Sequence, residues 1–239
     1  MLRAIKKQFA IQWRDWGLGY LCVLVVSMLG VLMANVVMQF GQEAESYVSL
    51  GAIMGCGMAV VYSGLWTMMQ LGICFNQEIS MGYTRSRFFV SFYAVNFVGN
   101  FLMVLLLLLI GLGENQLYHV LYPGGENEIN LIPYLFRVGL PAAFALSMAA
   151  GLCGVLLMRY GRKAFWVLWG LWMFGFLGIP YISDAVKDAP DSFLGMVGNA
   201  FTQWLKAVPG NAWIILAAVF SLLSFGITFL FIKKQQVTA

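Results

Sequence analysis

Phe89–Leu112 reads FVSFYAVNFVGNFLMVLLLLLIGL, a continuous run without acid, base or proline. Roughly 20 apolar residues, wound as a helix, cross the hydrocarbon core of a bilayer. Lipid offers the backbone no hydrogen bonds, so such a run must satisfy its own as a helix. Five further stretches have this character: Gly17–Phe40, Val48–Cys74, Ile132–Met158, Ala164–Ile182 and Asn211–Ile232. They are continuously apolar rather than alternating, which argues against a β-barrel. Of the 239 residues, 61% are hydrophobic and only 10% charged, far from the balance of a water-soluble domain. The expected fold is an all-α integral membrane protein of six transmembrane helices, one membrane domain over residues 1–239.

Charge orients these spans. With six crossings both termini share a side, and that side collects Arg3, Lys6, Lys7, Arg14, Arg85, Arg87, Arg159, Arg162, Lys163, Lys233 and Lys234. Only Arg137, Lys187 and Lys206 fall opposite. The positive-inside rule then makes the termini cytoplasmic. The net charge of +4 follows from this segregation, and no basic patch interleaved with aromatics points to nucleic acid. Cys22, Cys56, Cys74 and Cys153 lie in or at the ends of apolar runs, without a CxxC pair, and read as packing residues. The first apolar run is too long for a signal-peptide core, so no cleavage is expected.

Between the spans, three segments carry structure. In residues 1–16, Leu2, Ile5, Phe9, Trp13 and Trp16 fall within an arc of about 80° at 100° per residue. This predicts an amphipathic helix in the cytoplasmic interface, the alternative being a plain extension of the first span. Gly113–Asn130 reads as an outer loop with three glutamates. In Ser183–Gly210, Pro190 and Asp191 mark a helix start, and Phe193, Leu194, Val197, Phe201, Trp204, Leu205 and Val208 share one face up to Pro209-Gly210. This is expected to be an outer interfacial helix between spans five and six.

Motifs for catalysis are missing. There is no GxxxxGK[ST], no HExxH and no GxSxG, and the single histidine, His119, stands in the outer loop. No enzyme activity, metal site or bound cofactor is expected. Within the spans the notable polar residues are Ser63, Thr67 and Gln70 on one face of the second, and Asn96 and Asn100 on one face of the third. They serve helix packing or line a pathway; interhelical bonds of about 1 kcal/mol are the commoner use. Arg137, near the outer end of the fourth span, either snorkels to headgroups or meets anionic cargo. Gly51 and Gly55 form a GxxxG pattern that permits close helix approach.

The densest local signal is Phe75–Phe89, FNQEISMGYTRSRFF. It follows a second span of some 27 residues, about 40 Å of helix, so its end projects beyond the core. It holds Glu78, the only acid in a cytoplasmic connection between spans, then Gly82, Arg85 and Arg87 before aromatics re-enter the membrane. A short cytoplasmic helix carrying Glu78 and Arg85 would suit a partner protein; the other reading is an ordinary loop whose arginines anchor topology.

Ser80–Phe89, SMGYTRSRFF, resembles the (S/F)-x-G-x-(T/S)-R-x-x-(F/Y) loop of small bacterial ABC-transporter permeases, the type-2 ABC-exporter superfamily. The likeness extends to the N-terminal interface helix, six spans with cytoplasmic ends and the helical segment between spans five and six. It implies a bacterial plasma-membrane protein whose loop is a coupling helix seated in a separate ABC ATPase subunit, where ATP and Mg bind. Glu78, Ser80, Gly82, Thr84, Arg85 and Arg87 would then be contact and hinge positions, with Phe9, Trp13 and Trp16 on an interface helix that also touches the ATPase. A second permease copy is expected about a two-fold axis. Cargo would be amphipathic peptides or other hydrophobic compounds, as for exporters of phenol-soluble modulins and bacteriocin-immunity permeases. A stand-alone carrier or channel and a non-transporting complex subunit are the competing readings.

Overall fold

A computed structural model describes residues 2–40, 46–80, 82–123, 125–188, 192–207 and 209–234. The chain is almost wholly helical: α1 (Leu2–Phe40), α2 (Leu50–Ser80), α3 (Arg85–Leu121), α4 (Ile132–Tyr134), α5 (Leu140–Tyr160), α6 (Arg162–Met173), α7 (Ile179–Asp188), α8 (Phe193–Ala207) and α9 (Gly210–Lys234). Single π-helical stretches join α4 to α5 (Leu135–Gly139) and α6 to α7 (Phe174–Gly178). Among the described residues five helices are long and apolar enough to cross a membrane: Ala4–Gln39, Leu50–Ser80, Arg85–Leu121, Ile132–Tyr160 and Ile214–Lys234. The expected stretch Ala164–Ile182 is helical, with the π segment in its middle, but is not among those five.

Surface and interior are inverted relative to a soluble protein. Leu18, Leu21, Met28, Leu32, Met33 and Val37 of α1 are each more than half exposed, while Gln8, Gln12, Thr67, Asn96, Asn100 and Ser147 are buried. An apolar patch of that extent has no place in water, and in lipid it meets its own kind. The chain is membrane-embedded.

Small residues set the register of α1 against α2. A Cβ on Gly51 would stand 2.8 Å from the Ser27 carbonyl oxygen and 2.5 Å from Val31 Cγ2, and one on Gly30 would stand 2.8 Å from the Leu50 oxygen. Gly55 packs against the Ser27 hydroxyl. The GxxxG pattern is therefore used as such patterns are, to bring two backbones together. Gly154 does the same for α5 on α2, where a Cβ would lie 2.6 Å from the Met68 oxygen. At the other end of the bundle Phe89 packs between Phe225 (4.8 Å) and Phe229 (5.0 Å) of α9, and Tyr93 lies 4.9 Å from Phe225.

Three expectations are corrected. The N-terminal residues do not form a separate interface helix; α1 is unbroken for 39 residues, about 58 Å. No proline or turn interrupts Trp13–Leu18, and one glycine costs only about 1 kcal/mol in a helix. Phe9 and Trp13 remain exposed at 40% and 54%, whereas Trp16 is buried. Gly113–Leu121 is not loop but the last turns of α3. The segment that follows holds β2 (Glu126–Ile129), paired in parallel with β1 (Ser46–Val48). Parallel pairing follows because each strand feeds a helix leaving the same end of the bundle. The third correction concerns the α2–α3 turn, described below. The α8 helix agrees with the apolar pattern, and its cap is Ser192, whose hydroxyl accepts from Gly195 N–H at 3.0 Å. Pro190, Asp191 and Val208 lie outside the described residues.

Gly51→Leu forces α1 from α2 and is expected to cost about 1–3 kcal/mol. Gly57→Leu, where a Cβ meets nothing within 4 Å, should leave the midpoint unchanged in a thermal-unfolding assay of detergent-solubilised protein.

Candidate functional site: the α2–α3 turn and the polar seam behind it

The turn between α2 and α3 is built by one glycine. Gly82 has φ +83°, a left-handed conformation that side chains resist. Its N–H donates to the Ile79 oxygen (3.0 Å) and the Tyr83 N–H to the Glu78 oxygen (3.1 Å). These two bonds close the helix C-terminus in a Schellman motif. Thr84, extended at ψ 142°, precedes α3, which opens at Arg85. Only residues 81–84 separate the helices, too few for the short coupling helix expected from sequence. Glu78 belongs to the last turn of α2 and Arg85 to the first residue of α3.

The turn is tied to both ends of the chain. Arg85 Nη1 donates to the Lys233 carbonyl oxygen at 2.7 Å. Lys7 Nζ sits 5.2 Å from the centre of the Tyr83 ring, and Arg159 of α5 lies over Phe231 of α9 at 4.7 Å. The start of α1, the end of α9 and the α2–α3 turn thus share one end of the bundle. Ser80, Gly82, Thr84 and Arg87 are exposed there and Arg85 is half-buried. Glu78 departs from expectation: it is 2% exposed, on the face of α2 that also buries Leu71 and Cys74. Its side chain offers no surface to a partner.

Behind the turn a polar seam runs between α1 and α2. Gln12 Nε2 donates to Cys74 Sγ (3.7 Å), Cys74 Sγ to Gln70 Oε1 (2.9 Å), and Gln70 Nε2 to Asp15 Oδ2 (3.3 Å). The Tyr62 hydroxyl donates to the Asp15 carbonyl oxygen. Deeper, Thr67 Oγ1 bonds Asn96 Oδ1 (3.1 Å) and Asn100 Nδ2 bonds Ser147 Oγ (2.6 Å). The sequence-flagged Gln70, Asn96 and Asn100 thus act first as interhelical bonds. Ser63 and Asn100 also face a cavity of about 310 Å³ whose other walls, among them Leu107, Leu135, Val138 and Ala142, are apolar. Arg137, on the π segment beside it, is exposed and does not line it.

Sequence reasoning missed Glu114. Placed by expectation in an outer loop, it is 3% exposed and accepts from Gly51 N–H (2.9 Å), Ala52 N–H (2.7 Å) and the Tyr118 hydroxyl (3.1 Å). The carboxylate meets the first free N–H groups of α2, where a negative charge is most favourable. Its signal was the helical spacing Glu114, Tyr118, Leu121 beyond the apolar run. Around it Tyr47 donates to Asn115 (3.2 Å) and Asn127 to Ser49 (2.9 Å), fastening the small sheet to the bundle.

No family model, curated protein or solved structure matches this chain.

Glu114→Ala strands two N–H groups and is expected to destabilise by about 1–3 kcal/mol. Glu114→Gln, which keeps an acceptor, should lose less in the same thermal-unfolding measurement.

Proposed function

We propose that this chain is the transmembrane permease subunit of an ATP-driven exporter, energised by a separate ABC ATPase. In this reading Ala164–Ile182 supplies a further crossing, making six, and both termini and the α2–α3 turn are cytoplasmic. Two copies pair about a two-fold axis to form the path. The observation that carries the proposal is the exposed turn itself, which bears the SMGYTRSRFF sequence and is bonded to α9 through Arg85 and to α1 through Tyr83. A partner that moves this turn moves four helix ends together. Ser80, Gly82, Thr84 and Arg87 are the contact positions; Arg85 joins the turn to α9, and Glu78 supports from within. The apolar cavity, with Ser63 and Asn100 at its wall, suits the apolar part of an amphipathic peptide or other hydrophobic cargo. A second reading, a carrier working without an ATPase, draws on the buried seam, which would provide a polar route through the bundle unaided.

Purification from the native membrane in mild detergent should bring down a nucleotide-hydrolysing subunit in fixed stoichiometry. Arg87→Glu should abolish that association while leaving the stability of the chain within about 0.5 kcal/mol of the parent, as for surface changes generally. Recovery without an ATPase, or association unaffected by Arg87→Glu, would overturn the docking assignment.

A further inference from the structure

The seam between α1 and α2 ends, next to the turn, in an unbalanced set of polar atoms. Gln8 and Gln12 stand one helical turn apart on α1, and Cys74 and Glu78 one turn apart on α2. Gln12 reaches Cys74 directly and Asp15 meets Gln70 one turn further along, so α1 and α2 run antiparallel and the next turn of each brings Gln8 opposite Glu78. Gln8 and Gln12 are 0% exposed and Glu78 2%. Five polar atoms of this group have no hydrogen-bond partner: Gln8 Oε1 and Nε2, Gln12 Oε1, and both oxygens of Glu78.

Four of those five are acceptors. The only unused donor is the Gln8 amide, which cannot serve four oxygens. Buried polar groups are ordinarily satisfied, and a carboxylate held away from water is the most costly to leave bare. These buried acceptors therefore call for a positive or donor-rich partner. Lys7 acts electrostatically on Glu78, but it is exposed, over the Tyr83 ring, and neither carboxylate oxygen receives a hydrogen bond. A single proton would meet one acceptor and leave the others. A small alkali cation meets all of them at once: oxygen ligands suit hard cations, and one carboxylate among neutral amides balances a single positive charge. In membrane proteins a buried ionisable residue of this kind is the usual mark of an ion pathway or site.

We propose that Gln8, Gln12 and Glu78 form a binding site for one monovalent alkali cation between α1 and α2, with Glu78 supplying the charge and the glutamine carbonyls the neutral ligands. The site goes beyond the exporter reading and does not rest on it. Placed one turn behind Gly82, it would stiffen the junction of α1 with the α2–α3 turn when filled.

The full chain in detergent is unfolded thermally in sodium, potassium or N-methyl-D-glucamine chloride at equal ionic strength and fixed pH. The midpoint should rise saturably with sodium or potassium and not with the organic cation. Glu78→Gln should raise the half-saturating concentration at least tenfold, while Gln77→Ala, an exposed neighbour, should not change it. Equal midpoints in all three salts, an undiminished alkali response in Glu78→Gln, or stabilisation by acid alone would overturn the proposal. Should Glu78→Gln not fold, equilibrium dialysis of the parent protein against radiolabelled sodium and potassium decides: one ion bound per chain supports the site, and none overturns it.

Discussion

The near-contact of α1 and α2 at Ser27, Gly30, Gly51 and Gly55 is the constraint on which the rest of the bundle depends. Lipid is as apolar as leucine, so helices in it are not driven together by burying apolar surface; they associate where backbones approach closely and polar groups pair. Two rigid helices pinned at small residues keep one register over their whole length. That register brings Asp15 to Gln70 and Gln12 to Cys74 several turns away. A larger side chain at Gly51 would disturb a pairing it never touches.

Polar side chains do in this interior what apolar ones do in a soluble core. Thr67 with Asn96 and Asn100 with Ser147 join α2, α3 and α5, each bond worth about 1 kcal/mol or less. Their importance lies in direction: a hydrogen bond fixes rotation about the helix axis, which greasy contact leaves loose. The aromatic packing of Phe89 and Tyr93 against α9 then fills the space that this rotation defines.

The two ends of the bundle are fastened by different means. At one end a carboxylate, Glu114, caps the first turn of α2, and a short parallel sheet lies over it. At the other, Gly82 reverses the chain and Arg85 holds the end of α9 through a backbone carbonyl. At the first end both oxygens of Glu114 meet donors; the second leaves the oxygens of Gln8, Gln12 and Glu78 open. The asymmetry places adaptability beside the exposed turn, where a partner or an ion could act on it.

Sequence alone determined that the chain lives in lipid and along which stretches its long helices run. Length and hydropathy marked the five spanning helices, and the apolar spacing of Phe193, Val197 and Phe201 the helix α8. It did not determine which face of each helix turns inward. In water, apolarity marks the buried face, but lipid and protein interior are alike in this respect. Periodicity therefore placed Phe9 and Trp13 with Trp16 on one face, and only Trp16 proved buried. For the same reason two charged residues were read as lying outside the bundle, although Glu114 meets backbone N–H groups 62 and 63 positions away in the chain and Glu78 is buried. Only the tertiary structure could decide these, because a carboxylate enters such an interior when distant segments supply its partners.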